Sequence, residues 1–185
     1  MRAKHFNHIL AISTLLFTSC LAYGYSSNGV CWAEAVRPYT NLGITENLLK
    51  CIAKVESSLN PRAVNRSHIA KTNSVDYGLT QINSRNLQKG SLLHSLGFNE
   101  ENIMDPCTNA KAGATLLADL VKRNNGLDWE TVGKYNAACT TLKGAKCREA
   151  RQSYAWKVYS ACVGTSPANH QEYSKKVIVL NIGDE

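Results

Sequence analysis

Apolar residues recur at helical spacing along residues 45–57. Six of them share one arc of a helix that turns by about 100° per residue. They are Leu48, Leu49, Cys51, Ile52, Ala53 and Val55. Thr45 can cap this helix and Pro61 lies beyond its far end, so the pattern predicts one helix between them. Glu56 falls inside the apolar arc, which predicts that its carboxyl faces the protein interior.

Three further segments have helical patterns. They are residues 105–123, 129–137 and 148–162. Asp105 and Asp128 can cap the first two of them. Residues 60–75 are polar and turn-like, whereas residues 75–83 mix β-forming residues with a glycine. The patterns together predict an α+β fold, mainly α, with a small β region between the first helices.

The first residues have the pattern of an export signal. Two basic residues precede an apolar run over residues 9–21, and the tripeptide Ala-Tyr-Gly follows at residues 22–24, with small residues where signal peptidase cuts. Residues 1–24 are therefore predicted to be a signal peptide. The run is short for a stable membrane span; a retained signal anchor and a lipoprotein acylated at Cys20 are the alternatives.

Length and composition limit the remaining choices. The 185 residues are 44% apolar and 19% charged, which suits one globular domain. Residues 25–164 would form that domain, and residues 165–185 would form a C-terminal tail. Lys and Arg outnumber Asp and Glu by 21 to 14. This charge is scattered and forms no basic block, which argues against nucleic acid as a partner.

Seven cysteines are many for a cytosolic chain, and six of them follow the predicted cleavage site. An even number behind an export signal predicts disulfides formed in an oxidising compartment, although the sequence does not choose among the pairings. No Cys-x-x-Cys pair occurs, and His68, His94 and His170 show no ligand spacing. We therefore expect no metal site, and we interpret the three histidines as surface residues.

Glu56 and Asp76 are the candidate catalytic residues. Burial disfavours a charged carboxylate, so Glu56 could keep its proton near neutral pH, as a general acid must. Asp76, in a polar β segment, could stay ionised, and such a pair is what glycoside cleavage uses. The alternatives are a hydrogen-bonded or outward-pointing Glu56 and an Asp76 that only forms a turn.

Four short motifs occur in a fixed order along the chain. They are residues 55–61 (Val-Glu-Ser-Ser-Leu-Asn-Pro), 76–84 (Asp-Tyr-Gly-Leu-Thr-Gln-Ile-Asn-Ser), 135–138 (Tyr-Asn-Ala-Ala) and 153–155 (Ser-Tyr-Ala). In order and spacing they resemble the transglycosylase SLT domain of the lysozyme superfamily. The resemblance covers roughly residues 31–163 and implies a lysozyme-like fold with a substrate cleft.

Two features at the cysteines narrow this resemblance. Cys31-Trp32 and Asp105-Pro106-Cys107 look like the corresponding segments of the small lytic transglycosylases attached to secretion, conjugation and pilus machines, including invasion-associated ones.

The chain departs from the family pattern at two positions. Thr80 stands where the family usually has Met, and Ala138 where it usually has Gly. These departures leave the chemistry intact and put the shape of the groove in question.

The resemblance implies a reaction on peptidoglycan. Glu56 would protonate the glycosidic oxygen between N-acetylmuramic acid and N-acetylglucosamine and then accept the proton of the muramic C6 hydroxyl, which closes a 1,6-anhydro ring. Asp76 would stabilise positive charge at C1. The protein would be a periplasmic monomer without a cofactor, with glycan strands as its substrate and a secretion, conjugation or pilus component as a further partner.

The resemblance also implies six substrate-binding residues. They are Ser57, Gln81, Asn83, Tyr135, Asn136 and Tyr154. Ser57 is expected to orient Glu56, the amides of Gln81 and Asn83 to meet N-acetyl groups, and the two phenols to frame the acid. The alternative for Asn136 is a structural role at the end of a helix, without contact to the substrate. Three disulfides are implied as well: Cys31–Cys107, Cys51–Cys162 and Cys139–Cys147.

Two other functions remain open from the sequence. A lysozyme-like muramidase would use water in place of the C6 hydroxyl, and Asp76 would then matter as much as Glu56. A catalytically inert protein would bind the wall without cutting it. The presence of both carboxyl groups argues against the inert protein.

Overall fold

The computed structural model describes residues 29–139 and 142–164. The predicted signal peptide, the acylation alternative at Cys20, His170 and the C-terminal tail lie outside the described residues. Within the two described ranges, no helix is both long enough and apolar enough to cross a bilayer.

Helices form most of the described chain. Their bounds are α1 Trp32–Val36, α2 Glu46–Ser57, α3 Ile69–Thr72, α4 Leu92–Ser95, α5 Pro106–Arg123, α6 Trp129–Asn136 and α7 Gly144–Val163. Helices α2, α5 and α6 begin where the sequence predicts, because Thr45, Asp105 and Asp128 each accept a hydrogen bond from the backbone N–H three residues on. The expectation of an α+β, mainly α fold is confirmed.

Some elements differ from the sequence prediction. Helix α7 begins at Gly144 rather than at residue 148. Helices α1, α3 and α4 and the 3₁₀ turns at Arg37–Leu42 and Ser84–Leu87 were not predicted, since elements of one or two turns are too short to show a helical period. Residues 60–75, which the sequence predicts to be polar and turn-like, also contain a two-residue strand and α3.

A small antiparallel sheet lies between α2 and α5 in the chain. Its strands are β1 Val64–Asn65, β2 Asp76–Tyr77 and β3 Ile82–Asn83, in that spatial order. Asn65 pairs with Asp76, and Asp76 pairs with Asn83. Successive residues of a strand point to opposite faces of a sheet. These three therefore form a polar row on one face, and their apolar neighbours form the other face, where Ile82 is buried.

Helix α5 passes through the apolar core. Its Ala110, Ala114 and Leu117 pack in a cluster with buried residues of α2 and α7. Ala112 belongs to a second cluster, with Ile82 of the sheet and residues of α4. Helix α5 therefore connects the sheet to the helical part of the protein.

Close contacts join the helices that carry the candidate residues. The structure contains Cys31–Cys107, Cys51–Cys162 and Cys139–Cys147 disulfides, with Cα atoms 5.1, 5.2 and 5.6 Å apart. The second links α2 to α7. Helices α6 and α7 touch backbone to backbone at Gly133, where an added Cβ would lie 2.6 Å from the carbonyl oxygen of Arg151.

Candidate active site

Glu56 lies in the last turn of α2 and is half-buried. The phenol of Tyr154, on α7, donates a hydrogen bond of 2.5 Å to its Oε1. Burial raises the pKa of Glu56 from 4.5 to about 7, and the negative charge of Asp76 adds to the increase. The Tyr154 bond and the positive charge of Lys157 act in the opposite direction. A pKa in this range lets Glu56 keep a proton closer to neutral pH than an exposed glutamate does.

Two tyrosines stand around this carboxyl. Tyr154 is buried, and Tyr135, on α6, is half-buried and donates its hydroxyl hydrogen to the carbonyl oxygen of Thr80 at 3.1 Å. Burial, and then the charge of Glu56, raise the pKa of both phenols above the ordinary value. Both groups consequently stay protonated, as hydrogen-bond donors, at every physiological pH.

Asp76 lies in the middle of the polar row and is half-buried. Its Oδ1 accepts a hydrogen bond of 2.7 Å from Asn83 Nδ2, and its Oδ2 lies 3.5 Å from Asn65 Nδ2. His68 Nε2 is also 3.5 Å from Oδ2. The two amides are hydrogen-bond donors, so they hold the Asp76 carboxyl in a fixed orientation. Of the two described histidines that the sequence predicts at the surface, His68 is half-buried and His94 is exposed.

The side-chain amides of Asn83 and Gln81, which were expected to meet N-acetyl groups of the substrate, are hydrogen-bonded to protein atoms. Asn83 Nδ2 donates to Ser74 Oγ at 3.0 Å as well as to Asp76, and its Oδ1 accepts from the Arg85 backbone. Gln81 Nε2 donates to the Gly78 carbonyl at 2.8 Å. Asn83 therefore orients the Asp76 carboxyl. The side chain of Gln81 stabilises the turn between β2 and β3, in which Gln81 itself has a positive φ of 47°.

Ser57 and Asn136 have different surroundings. The Ser57 hydroxyl lies 2.8 Å from the carbonyl oxygen of Leu79 and 3.1 Å from that of Ala53, so it joins the end of α2 to the turn before β3. No hydrogen bond from it to Glu56 is found in the described part of the chain. Asn136 is the exposed last residue of α6.

Asn109 is a buried residue that the sequence analysis did not single out. Its Oδ1 accepts from the backbone N–H and the hydroxyl of Thr80, both at 2.8 Å, and its Nδ2 donates to the carbonyl oxygens of Tyr77 and Ile103. Asn109 thus holds the β2–β3 turn on α5, together with the Thr80 carbonyl that binds Tyr135. Gly78 leaves room for it, since a Cβ there would lie 2.3 Å from Asn109 Nδ2.

One group of side chains in the described ranges is close enough together to hold a metal ion, and it consists of Cys31, Glu34 and Cys107. The two cysteines are joined in a disulfide, so neither offers a thiolate to a metal ion.

Comparison with known proteins decides the family. The transglycosylase SLT domain matches residues 35–157, well over half of the chain. The chain belongs to the transglycosylase SLT domain family. The resemblance inferred from the four motifs is thereby confirmed, and the fold is lysozyme-like.

Several bacterial proteins are similar to this SLT-domain chain. Invasion protein IagB of Salmonella typhimurium (strain LT2) is 34% identical over 137 residues, which are 74% of this chain and 79% of IagB. Protein IpgF of Shigella flexneri is 35% identical over 130 residues, or 70% and 76% of the two chains. A "peptidoglycan-binding-like protein" of Escherichia coli O157:H7 is 34% identical over 138 residues, or 72% and 76%. No solved structure matches the chain significantly.

Family membership defines the general activity of this SLT-domain protein. It is a transglycosylase-type protein whose substrate is peptidoglycan. The carboxyl that its geometry offers as a proton donor is Glu56, and the second carboxyl nearby is Asp76.

Proposed function

We propose that this protein is a lytic transglycosylase that cleaves the β-1,4 bond between N-acetylmuramic acid and N-acetylglucosamine and leaves a 1,6-anhydro ring on the muramic acid. The observation that carries the proposal is the environment of Glu56. Its carboxyl is half-buried, receives a 2.5 Å hydrogen bond from Tyr154 and has a pKa of about 7. A general acid that works near neutral pH needs a pKa in this range.

The reaction requires one proton donor that later becomes a proton acceptor. Glu56 gives its proton to the glycosidic oxygen, and N-acetylglucosamine leaves. The ionised Asp76 stabilises the positive charge that develops at C1 of the muramic acid. The C6 hydroxyl of the same sugar then attacks C1, and its proton passes to Glu56. The acid is regenerated and no water is consumed.

The neighbouring residues support these two carboxyl groups. Tyr154 fixes the orientation of the Glu56 carboxyl, and Asn83 fixes that of Asp76. We assign Tyr135 and Asn136 to the binding of the glycan strand, and Gln81, whose amide nitrogen is bound to the Gly78 carbonyl oxygen, to the turn before β3. The hydroxyl of Ser57 holds the end of α2 against the turn before β3, and in this way it positions Glu56.

A lysozyme-like hydrolysis is the second candidate. The observation in its favour is the set of polar neighbours around Asp76, which keeps a negative carboxylate close enough to Glu56 to raise the pKa of that residue. Retaining hydrolysis uses such a pair, with water as the final acceptor of the sugar. The two reactions differ in the final acceptor of the sugar and in how strongly they depend on Asp76.

Mass spectrometry of digested peptidoglycan tests the proposal. A lytic transglycosylase releases 1,6-anhydro ends, and a muramidase releases reducing ends. Glu56→Gln should abolish release of either product, whereas Glu46→Gln, a half-exposed ion-pair residue at the other end of the same helix, should keep it. Wall binding by the wild type without any released product would favour the inert protein and contradict the proposal.

We also propose that the protein is exported, loses residues 1–24 and acts in the periplasm as a monomer. The three disulfides and the peptidoglycan substrate support an oxidising, wall-facing compartment. We further propose that its local opening of the wall serves a secretion, conjugation or pilus machine; the similarity to IagB, an invasion protein, supports a role of this kind. N-terminal sequencing of the periplasmic form tests the cleavage site.

A further inference from the structure

Lys157 is an exposed residue of α7 that follows Tyr154 by one helical turn. Two contacts fix this part of α7 against α2, namely the hydrogen bond from Tyr154 to Glu56 and the disulfide between Cys51 and Cys162. Lys157 lies between these two contacts along α7. Because side chains of a helix lean towards its N-terminus, the side chain of Lys157 leans towards the Tyr154 end. The lysine therefore stands at the edge of the candidate active site.

The ammonium of Lys157 has no ion-pair partner in the described ranges. No side chain there forms an ion pair or a hydrogen bond with it, whereas Lys50 and Lys111 pair with Glu46 and Glu34 at 3.0 and 3.3 Å. A lysine ammonium has three donors and a full positive charge, which suits a carboxylate. Lys157 thus offers a binding position for an anionic group beside the carboxyl that donates the proton.

The charge of Lys157 opposes the proposed reaction as long as no anion is bound. It lowers the pKa of Glu56, against the larger effect of burial. A general acid that works near neutral pH benefits from the higher pKa. An anionic group of the substrate, bound to the ammonium, would cancel this opposition when the sugar is in place.

We propose that Lys157 is a specificity-determining residue that binds a carboxylate carried on the C3 substituent of the muramic acid. The inference rests on the proposed function, because it concerns the sugar that reacts there. Muramic acid differs from N-acetylglucosamine by a lactyl group on C3. This group ends in a carboxylate where the stem peptide has been removed, and elsewhere the carboxylates belong to the peptide. C1 and C3 are atoms of one ring, so the substituent lies beside the reacting bond.

Equilibrium binding of three tetrasaccharides, measured by calorimetry, tests the proposal without relying on catalysis. The first alternates N-acetylglucosamine with N-acetylmuramic acid and has free lactyl carboxylates. The second is the same sugar with its stem peptides, and the third is chitotetraose, which has no carboxylate. All proteins in this test carry Glu56→Gln, so that the sugars remain intact.

Adding Lys157→Met should weaken binding of the carboxylate-bearing sugars by about two- to fivefold, which is the range for an exposed ion pair. Binding of chitotetraose should not change. Lys157→Arg keeps the charge and should retain the difference between the sugars. Lys54→Met, which changes an exposed lysine of α2, is the matched control and should alter none of the three affinities.

The two carboxylate-bearing sugars distinguish the source of the anion. A loss confined to the peptide-free sugar assigns the lactyl carboxylate, a loss confined to the other sugar assigns a carboxylate of the peptide, and a loss with both shows that either is bound. An equal loss with chitotetraose, or no loss with any sugar, would overturn the proposal. If the protein with Glu56 intact releases no product from peptidoglycan, the proposed function fails, and the binding measurements still decide the role of Lys157.

Discussion

Replacing Glu56 with Gln is expected to make the folded protein more stable at alkaline pH. Folding raises the pKa of Glu56 from 4.5 to about 7, mainly because the carboxyl is buried. The folded protein thus holds this proton more tightly than the unfolded chain does. The resulting stability is complete below pH 4.5 and is lost as the pH rises through about 7. At about 1.4 kcal/mol per pH unit, the loss is at most about 3 kcal/mol.

Denaturant unfolding at about pH 5 and about pH 8 measures this effect. The wild type and Glu56→Gln should have similar free energies of unfolding at the lower pH, since both side chains are uncharged and both can accept the Tyr154 hydrogen bond. At the higher pH the variant should be more stable by up to about 3 kcal/mol. Glu46→Gln controls for the loss of one carboxylate from the same helix. The same pH dependence in wild type and Glu56→Gln would refute the reasoning that Glu56 is a desolvated acid.

Three further variants test other contacts. Tyr154→Phe should move the alkaline limb of the pH–rate profile to higher pH by about one unit, because it removes the hydrogen bond that lowers the pKa of Glu56 in the wild type. An alkaline limb at the wild-type pH would contradict this expectation. Asn109→Ala leaves the buried Thr80 N–H without its acceptor, and denaturant unfolding should show a loss of about 2–4 kcal/mol; a loss below about 1 kcal/mol argues against the contact. Ser58→Gly should raise the free energy of unfolding by about 0.5–1 kcal/mol and raise Tm, since Ser58 has a φ of 55°, in the left-handed region that glycine adopts without strain. A lower Tm would show that contacts of the serine side chain stabilise the protein by more than this backbone strain costs.

The local part of the site could be predicted from the sequence. The periodicity of α2 and its cap at Thr45 are determined by neighbouring residues, so the position of Glu56 on the apolar side follows from a window of a dozen residues. Asn109 could have been found by the same argument, because it lies three and four residues before the buried Ala112 and Gly113 and so shares a face of α5 with these small residues.

The surroundings of Asp76 could not be predicted in this way. Two-residue strands are too short to show the alternation from which a polar face is inferred. The neighbours of Asp76 depend on the register of three strands, which brings Asn65 and Asn83 to its two sides. His68 reaches it only through a loop between those strands. The amide of Asn83 was therefore expected to face a sugar, although the fold directs it to a carboxylate.

The contact at Gly133 has a consequence for how such a site can diverge. Helix α6 carries Tyr135 and α7 carries Tyr154, and the two helices meet where Gly133 has no side chain. The spacing of the two phenols is therefore determined by backbone packing, while the Cys51–Cys162 bond holds the helix of Tyr154 against the helix of Glu56. Surface loops can then change in length or sequence among related chains while that spacing is inherited unaltered.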